Sequence, residues 1–359
     1  MIGVGIVGCN YGRTILVPAF RRDARCEVVA LAGTDAARTV EFAQAANITR
    51  GFGSWEVLVE EPSVAVVAVA VPPHLQPAIA QRALDLGKPV FLEKPLAADL
   101  AGAQMILECA RKSARPIIID FNFPELASWR RAKAILDSGA IGRLRNVVVT
   151  WNFENQATRQ RLEGWKTHDE GGGGLLGNFV SHCFYNLEWL CGHICGLSAR
   201  LFALPDSKAD GSVTLTLAFA SGAAGSLQVS CASFLGSGHR VEIYGEDGAL
   251  ILFNPTADYF RGFELRIARR SDAALKLVPI EGTDEDPSSD SRVGPAGRLV
   301  QRFVDACESG GRPTPGVVEG YRVQWLIDAA RRAHATGRWI DVVPPVGEAA
   351  PLSAQRCTG

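Results

Sequence analysis

The apolar run Ile2–Val7 ends at Gly8-Cys9-Asn10-Tyr11-Gly12-Arg13, which leads into a second apolar stretch, Thr14–Phe20. A strand that turns over glycines into a helix lets backbone N–H groups approach a diphosphate, and the helix N-terminus favours its negative charge. The string Gly3-Val4-Gly5-Ile6-Val7-Gly8 also fits G-x-G-x-x-G, but it lies inside the strand. In the turn itself Asn10 stands at the second glycine position and Arg13 at the third. Asparagine tolerates left-handed backbone angles better than most residues, so the turn still forms, with one side chain to accommodate beside the phosphates.

A second run, Val28–Ala32, is followed by Gly33-Thr34-Asp35. An acidic residue at this point normally binds the ribose 2′-hydroxyl of NAD. Gly33 stands in its place, and Thr34 with Arg38, one turn into the next helix, leaves room for a 2′-phosphate. The expected cofactor is therefore NADP, with NAD as the alternative. Asp35 caps the helix on either reading.

Three further motifs complete the set. Val71-Pro72-Pro73-His74-Leu75-Gln76 closes the apolar run Val64–Val71, and Glu93-Lys94-Pro95 follows Pro89–Leu92. The glycines Gly171–Gly174 and then Leu175-Leu176-Gly177-Asn178 lead to His182. With Gly142, Gly164-Trp165-Lys166 and the segment Pro313–Gly320, these motifs resemble the glucose–fructose oxidoreductase / inositol dehydrogenase / MocA (Gfo/Idh/MocA) oxidoreductase family over nearly the whole chain. The resemblance implies that Lys94 touches the reacting hydroxyl near the nicotinamide and that His182 is the general acid/base. It places Val71, Pro72, Pro73, Gln76 and Glu93 in the cofactor site as well. Two positions depart from the family pattern. Asn178 stands where an aspartate often assists the histidine, and Tyr185 where an acidic residue is common.

The residue types suit that chemistry. Oxidising a secondary alcohol removes a hydride from carbon and a proton from oxygen, and imidazole accepts protons near neutrality. A lysine cation beside the oxygen stabilises developing negative charge. With about 100° per helical residue, Asn178, His182, Tyr185 and Trp189 fall on one ridge, apart from an apolar stripe of Cys183, Leu187 and Leu190. That spacing predicts an amphipathic helix with its polar ridge toward a cleft. Asn178 can hydrogen-bond an imidazole but cannot stabilise imidazolium by charge, so a weaker base is expected, with more of the work on Lys94 and with Tyr185 available as a proton relay. Asn122, at a strand end where this fold places ligands, and Trp165 are candidate substrate contacts. Trp151 and Trp129 suit either a sugar face or a core. Cys191, His193 and Cys195 lack a second ligand pair, so packing is expected there and no metal site.

The elements that would position these residues form two patterns. Up to about residue 120, apolar runs alternate with amphipathic stretches (Ala36–Ala46, Leu75–Leu86, Leu100–Ser113), as in an α/β, doubly wound parallel Rossmann sheet. After a linking helix at Glu125–Ser138, strands with period-2 alternation dominate: Ser212–Phe219, Leu227–Cys231 and Phe263–Ile267. They predict an α+β domain with an open, mostly antiparallel sheet and one helical insertion at Gly177–Leu190. Helices at Arg298–Ser309 and Val317–Ala335 and a short strand at Trp339–Val343 follow. The expected division is 1–122 for nucleotide binding, 123–345 for substrate binding and self-association with its last helices packing back, and 346–359 as a tail.

The 359 residues carry 37 Lys+Arg and 38 Asp+Glu, a net charge of −1, which gives no general attraction to nucleic acid or an anionic membrane. Nine scattered cysteines resemble no disulfide framework, so a reducing, cytoplasmic setting is expected. No apolar run is long enough to span a bilayer. The expected partner is a small sugar-like molecule, and the alternating sheet has a second face that a homodimer or homotetramer would cover. The leading functional expectation is an NAD(P)-dependent interconversion of a ring hydroxyl and a ketone on a sugar, cyclitol or nucleotide-sugar. A glycosidase using transient oxidation, or a non-catalytic dinucleotide-binding regulator, are the alternatives.

Overall fold

The computed structural model describes residues 1–162, 164–168, 171–205, 207–282 and 289–342, with the side chain of Trp165 outside this set. The chain forms two compact units.

The first runs to Glu125 and regains the chain later, through Gln324. Its strands are β1 (Ile2–Val7), β2 (Cys26–Ala32), β3 (Arg50–Phe52), β4 (Val66–Val69), β5 (Val90–Leu92) and β6 (Ile117–Ile119). Among the described residues they pair in parallel in the order β3-β2-β1-β4-β5-β6. The order reverses direction between β1 and β4, and that switch point opens a crevice at the carboxyl ends of the strands. β4, β5 and β6 are buried at every residue, as expected of strands covered on both faces. Between them lie α1 (Val17–Arg21), α2 (Ala36–Ala45), α3 (Trp55–Glu60), α4 (Gln76–Asp85) and α5 (Leu100–Ser113). The predicted runs match these elements closely, and the bounds of α5 agree residue for residue. β3 and α3 have no counterpart in the sequence reading. β3 is only three residues long and begins with an exposed arginine, too short to show a period.

The helix α9 (Val293–Ser309) and the start of α10 (Val317–Thr336) belong to this first unit. The sequence division places them in the second domain. Leu299, Val300, Phe303 and Val304 are buried in one core cluster with Phe20 and Phe91. The three phenylalanine rings meet edge to face, with centroids 5.6 and 6.0 Å apart. Burial of each such ring contributes about 2–3 kcal/mol, which fixes α9 here despite its distance in sequence.

The second unit begins at Leu126 and holds α6 (Ala127–Asp137), β7 (Leu144–Asn152), α7 (Gln156–Gln160), α8 (Ser181–Cys191), β8 (Ile194–Ala203), β9 (Asp210–Phe219), β10 (Ala224–Ser230), β11 (Gly238–Gly245), β12 (Gly248–Asn254), β13 (Glu264–Arg269), β14 (Lys276–Leu277) and β15 (Ile340–Asp341). Its strands form one sheet in the order β14-β13-β12-β11-β7-β10-β9-β8-β15. Among the described residues all pairings are antiparallel except β7 with β10. Val213, Leu215, Leu217 and Phe219 are buried while Thr214 and Thr216 are exposed, the expected alternation. Trp129 of α6 and Cys183, Leu187 and Leu190 of α8 meet Val149 and Val241 of the sheet, so both helices cover its apolar face. Trp129 and Trp151 are core residues. Of the predicted strand Trp339–Val343, only Ile340–Asp341 pairs, and Val343 and the tail 346–359 lie outside the described residues. Among the described residues no helix is long and apolar enough to cross a membrane.

Candidate active site

The glycine turn is built as a nucleotide cradle requires. Gly8 has φ +115, and a Cβ there would lie 2.1 Å from the carbonyl oxygen of Ala70, so only glycine fits. Asn10 is exposed at the tip of the turn and Cys9 is half-buried. The close approach of helix to strand falls on Gly12 and not on Arg13. A Cβ on Gly12 would lie 2.8 Å from Ile6 of β1. The helix opens with a π-helical turn, Gly12–Leu16, whose wider winding brings Gly12 into the packing position. Arg13 is freed to lie along the surface, where its Nε donates to the Cys9 carbonyl at 3.3 Å.

At the end of β2 the missing acid has a structural cause. A Cβ on Gly33 would lie 2.5 Å from the Cys9 thiol and 2.6 Å from the Thr39 hydroxyl, so these two groups fill the space of a larger side chain. Thr34 is exposed, and the Asp35 carboxylate accepts the Arg38 N–H at 3.0 Å, capping α2. The guanidinium carbons of Arg13 and Arg38 lie 4.5 and 5.1 Å from the ring centre of Phe42. One aromatic ring thus gathers two cations at the edge where the ribose would lie. Phe42 was not anticipated from the sequence, where it reads as one apolar residue of a helix.

Lys94 follows β5 and is half-buried, joined to Pro95 by a cis peptide bond. Gln76 is fully buried, and its Nε2 donates to the Pro95 carbonyl at 2.7 Å. It braces the turn that carries Lys94. Pro73 is buried as well, while Val71 and Pro72 are half-buried. Glu93 Oε2 accepts the backbone N–H of Lys94 at 3.1 Å.

Tyr11 reaches from the glycine turn to the end of β6. Its hydroxyl donates to Asp120 Oδ2 at 2.8 Å and accepts from Asn122 Nδ2 at 3.2 Å. Asn122 is buried and one of its N–H groups is committed to this bond. Burial above all, with the hydrogen bond to Asp120, pushes the Tyr11 hydroxyl well above its ordinary pKa, so it remains a donor. Asp120 was not singled out from the sequence. A charged residue directly after Ile117-Ile118-Ile119, at the carboxyl end of a buried strand, was the available signal.

In the second unit the glycine run has a specific partner. Gly172 and Gly174 adopt φ +79 and +84, and a Cβ on Gly174 would lie 2.3 Å from Asp210 Oδ1. Asp210 Oδ2 accepts the Leu176 N–H at 2.7 Å, so the first strand residue of β9 anchors the start of the histidine-bearing helix. That helix begins with a π-helical turn, Leu176–Val180, before α8. Asn178 lies in this turn and is half-buried, so its angular relation to His182 is not that of an ordinary helix. His182 and Tyr185, three residues apart on α8, are both buried. Cys183, Leu187 and Leu190 pack on the sheet, while Asn178 and Trp189 on the ridge are half-buried. Every residue from Ser181 to Leu187 is buried. Trp165 lies in a short turn, Trp165–Thr167, and its side chain falls outside the described residues.

Behind α8, His239 stacks on Trp151 with ring centroids 4.2 Å apart and planes 2° from parallel. Burial lowers its pKa to about 3, so it is a neutral ring of the core and not a base. His193 is paired with Glu188 at 3.5 Å. Among the described residues no three His, Cys, Asp or Glu side chains come together as a metal-ligand set.

A parallel sheet with a glycine cradle at its switch point, in a chain whose other unit is built on an open sheet, defines the class: a dinucleotide-binding oxidoreductase. The cradle fits the group, since Gly8 leaves the backbone open to a diphosphate and Asn10 faces solvent. Residues 2–121 match the model of an oxidoreductase family with an NAD-binding Rossmann fold, and residues 129–251 match the Gfo/Idh/MocA C-terminal domain. The chain belongs to the Gfo/Idh/MocA oxidoreductase family. It is 28% identical to an uncharacterised oxidoreductase of Synechocystis sp. over 94% of this chain and 95% of that protein. It is 25% identical to the levoglucosan dehydrogenase of Pseudarthrobacter phenanthrenivorans over 83% and 86% of the two chains. A solved levoglucosan dehydrogenase in complex with NADH and levoglucosan has the same fold, with TM-score 0.85 and 22% identity over 95% of this chain and 99% of that one.

Proposed function

We propose that the protein is an NADP(H)-preferring dehydrogenase that interconverts a ring hydroxyl and a ketone on a sugar or cyclitol. The observation that carries this reading is the E-K-P turn. Lys94 stands at the carboxyl end of β5, braced by Gln76, in the same unit as the glycine cradle. The bound nicotinamide supplies the hydride acceptor or donor. Lys94 stabilises negative charge on the substrate oxygen as its proton leaves, and His182 takes that proton, with Tyr185 as its relay. Asn178 orients the imidazole without adding charge. The names of relatives, a levoglucosan dehydrogenase and the D-apiose dehydrogenase of Rhizobium rhizogenes, support a sugar-like substrate.

Support for NADP comes from the β2 edge. A carboxylate there would repel a 2′-phosphate, and Gly33 carries none. Arg13 and Arg38, held together by Phe42, offer two cations to a phosphate. The described cysteines are all free, which supports a reducing, cytoplasmic setting. The exposed face of the second unit's sheet supports a homodimer or homotetramer.

Fluorescence titration of NADPH against NADH, followed by nicotinamide absorbance with a panel of sugars and cyclitols, tests the reading. Tighter NADPH binding and a stoichiometric absorbance change with one substrate class are expected. Tighter NADH binding overturns the cofactor preference, and silence across the panel counts against the substrate class.

A further inference from the structure

Asp120 has no exposed surface, a rare state for a carboxyl group. Its backbone N–H donates to the Leu92 carbonyl at 2.8 Å, which ties it to the residue before Glu93. Oδ2 accepts the Tyr11 hydroxyl, while no N–H or O–H donor among the described residues reaches Oδ1. Glu93 follows β5 as Asp120 follows β6, with Leu92 and Ile119 paired in register, and its carboxyl lies within hydrogen-bond reach of Asp120. Two ionised carboxylates have only acceptors to offer each other, so a buried contact between them requires a proton. Glu93 is also the group that accepts the Lys94 N–H.

We propose that Asp120 and Glu93 hold one proton between them, Asp120 as the donor, and that Asp120 is thereby a positioning residue for Lys94. This rests on the reading of Lys94 as the cation at the reacting oxygen. With the proton in place, the pair carries one negative charge next to Lys94. Without it, two negative charges crowd the lysine and weaken its hold on the developing alkoxide. Burial raises the Asp120 carboxyl well above the usual carboxylate range, and the charge and hydrogen bond of Glu93 push the same way. The Tyr11 hydroxyl and the Lys94 charge oppose them. Arg292, at the start of α9, lies 5.5 Å from the Tyr11 ring centre and is itself paired with Asp290 at 2.7 Å.

The test uses the full-length protein. A difference infrared spectrum at neutral pH, wild type minus Asp120→Asn, is expected to show the carbonyl stretch of a protonated carboxylic acid. Its absence overturns the proposal. This band needs no turnover, so it reports on the shared proton even if Lys94→Ala proves active, a result that would count against the reading of Lys94 alone. For alcohol oxidation, kcat/KM of the wild type is expected to fall on the alkaline side as the shared proton leaves, and Asp120→Asn to lack that fall. Tyr11→Phe removes a donor that favours the ionised form, so its fall should move to higher pH. A wild type and Asp120→Asn that fall together overturn the proposal. Where Asp120→Asn fails to fold, an unmoved fall in Tyr11→Phe does the same.

Discussion

Lys94 and His182 have different expected sensitivities. Removing a charge-stabilising group in an enclosed site costs roughly 10²–10³ in kcat, so Lys94→Ala should lose activity on that order while still binding nucleotide. Turnover kept in Lys94→Ala and nucleotide titration will separate these cases. Asn178→Asp places a carboxylate in the π-turn before His182. An opposite charge favours imidazolium, so the acidic inflection of the kcat/KM profile should move to higher pH. An unmoved inflection would mean that the π-turn carries residue 178 away from the imidazole. At the other end of the cofactor, Arg38→Ala should weaken NADPH by about tenfold, the size of one charged hydrogen bond, and leave NADH nearly unchanged. Equal losses for both nucleotides would mean that Arg38 meets no 2′-phosphate. These residues were legible in the sequence because motifs mark them. Phe42, Asp120 and Asp210 were not, because their roles depend on long-range contacts that no local spacing shows.

At the scale of elements, the helices that carry function both begin with π-turns, Gly12–Leu16 and Leu176–Val180. A hydrophobic pattern read at about 100° per residue cannot register such a turn. That is why the third-glycine role shifts from Arg13 to Gly12, and why Asn178 leaves the ridge that His182 and Tyr185 share on α8. The buried Ser181, His182 and Asn186 give α8 a mixed sequence although most of it is buried. By contrast, α5 was legible to the residue because it is an ordinary surface helix with an Asp99 cap, whose side chain accepts the Gly102 N–H at 2.8 Å. The packing of Gly12 has a measurable consequence. A methyl group there meets Ile6 at 2.8 Å, so Gly12→Ala should destabilise the protein by about 1–3 kcal/mol in urea unfolding, with nucleotide affinity reduced as the turn shifts. An unchanged midpoint would mean that the π-turn relaxes to take the methyl group.

For the whole molecule, the two sheets differ in how much of their surface is covered. The parallel sheet has helices on both faces, and its strands β4, β5 and β6 are buried throughout. The nine-stranded sheet has helices α6 and α8 on one face, and its other face shows Thr214 and Thr216 on β9 beside Ser226 and Gln228 on β10. Small polar residues on a broad β-face suit contact with an identical face, because such a pair is self-complementary about a two-fold axis and leaves no large group to desolvate. Light scattering at micromolar concentration should therefore give a dimer or tetramer. Replacing both Thr214 and Thr216 with arginine would set like charges against each other across that axis and should shift the population to monomer. Nucleotide binding should survive in that variant, because the cradle and the substituted strand belong to different units. A monomeric wild type would reject self-association, and an assembly that resists both arginines would place the contact on another surface.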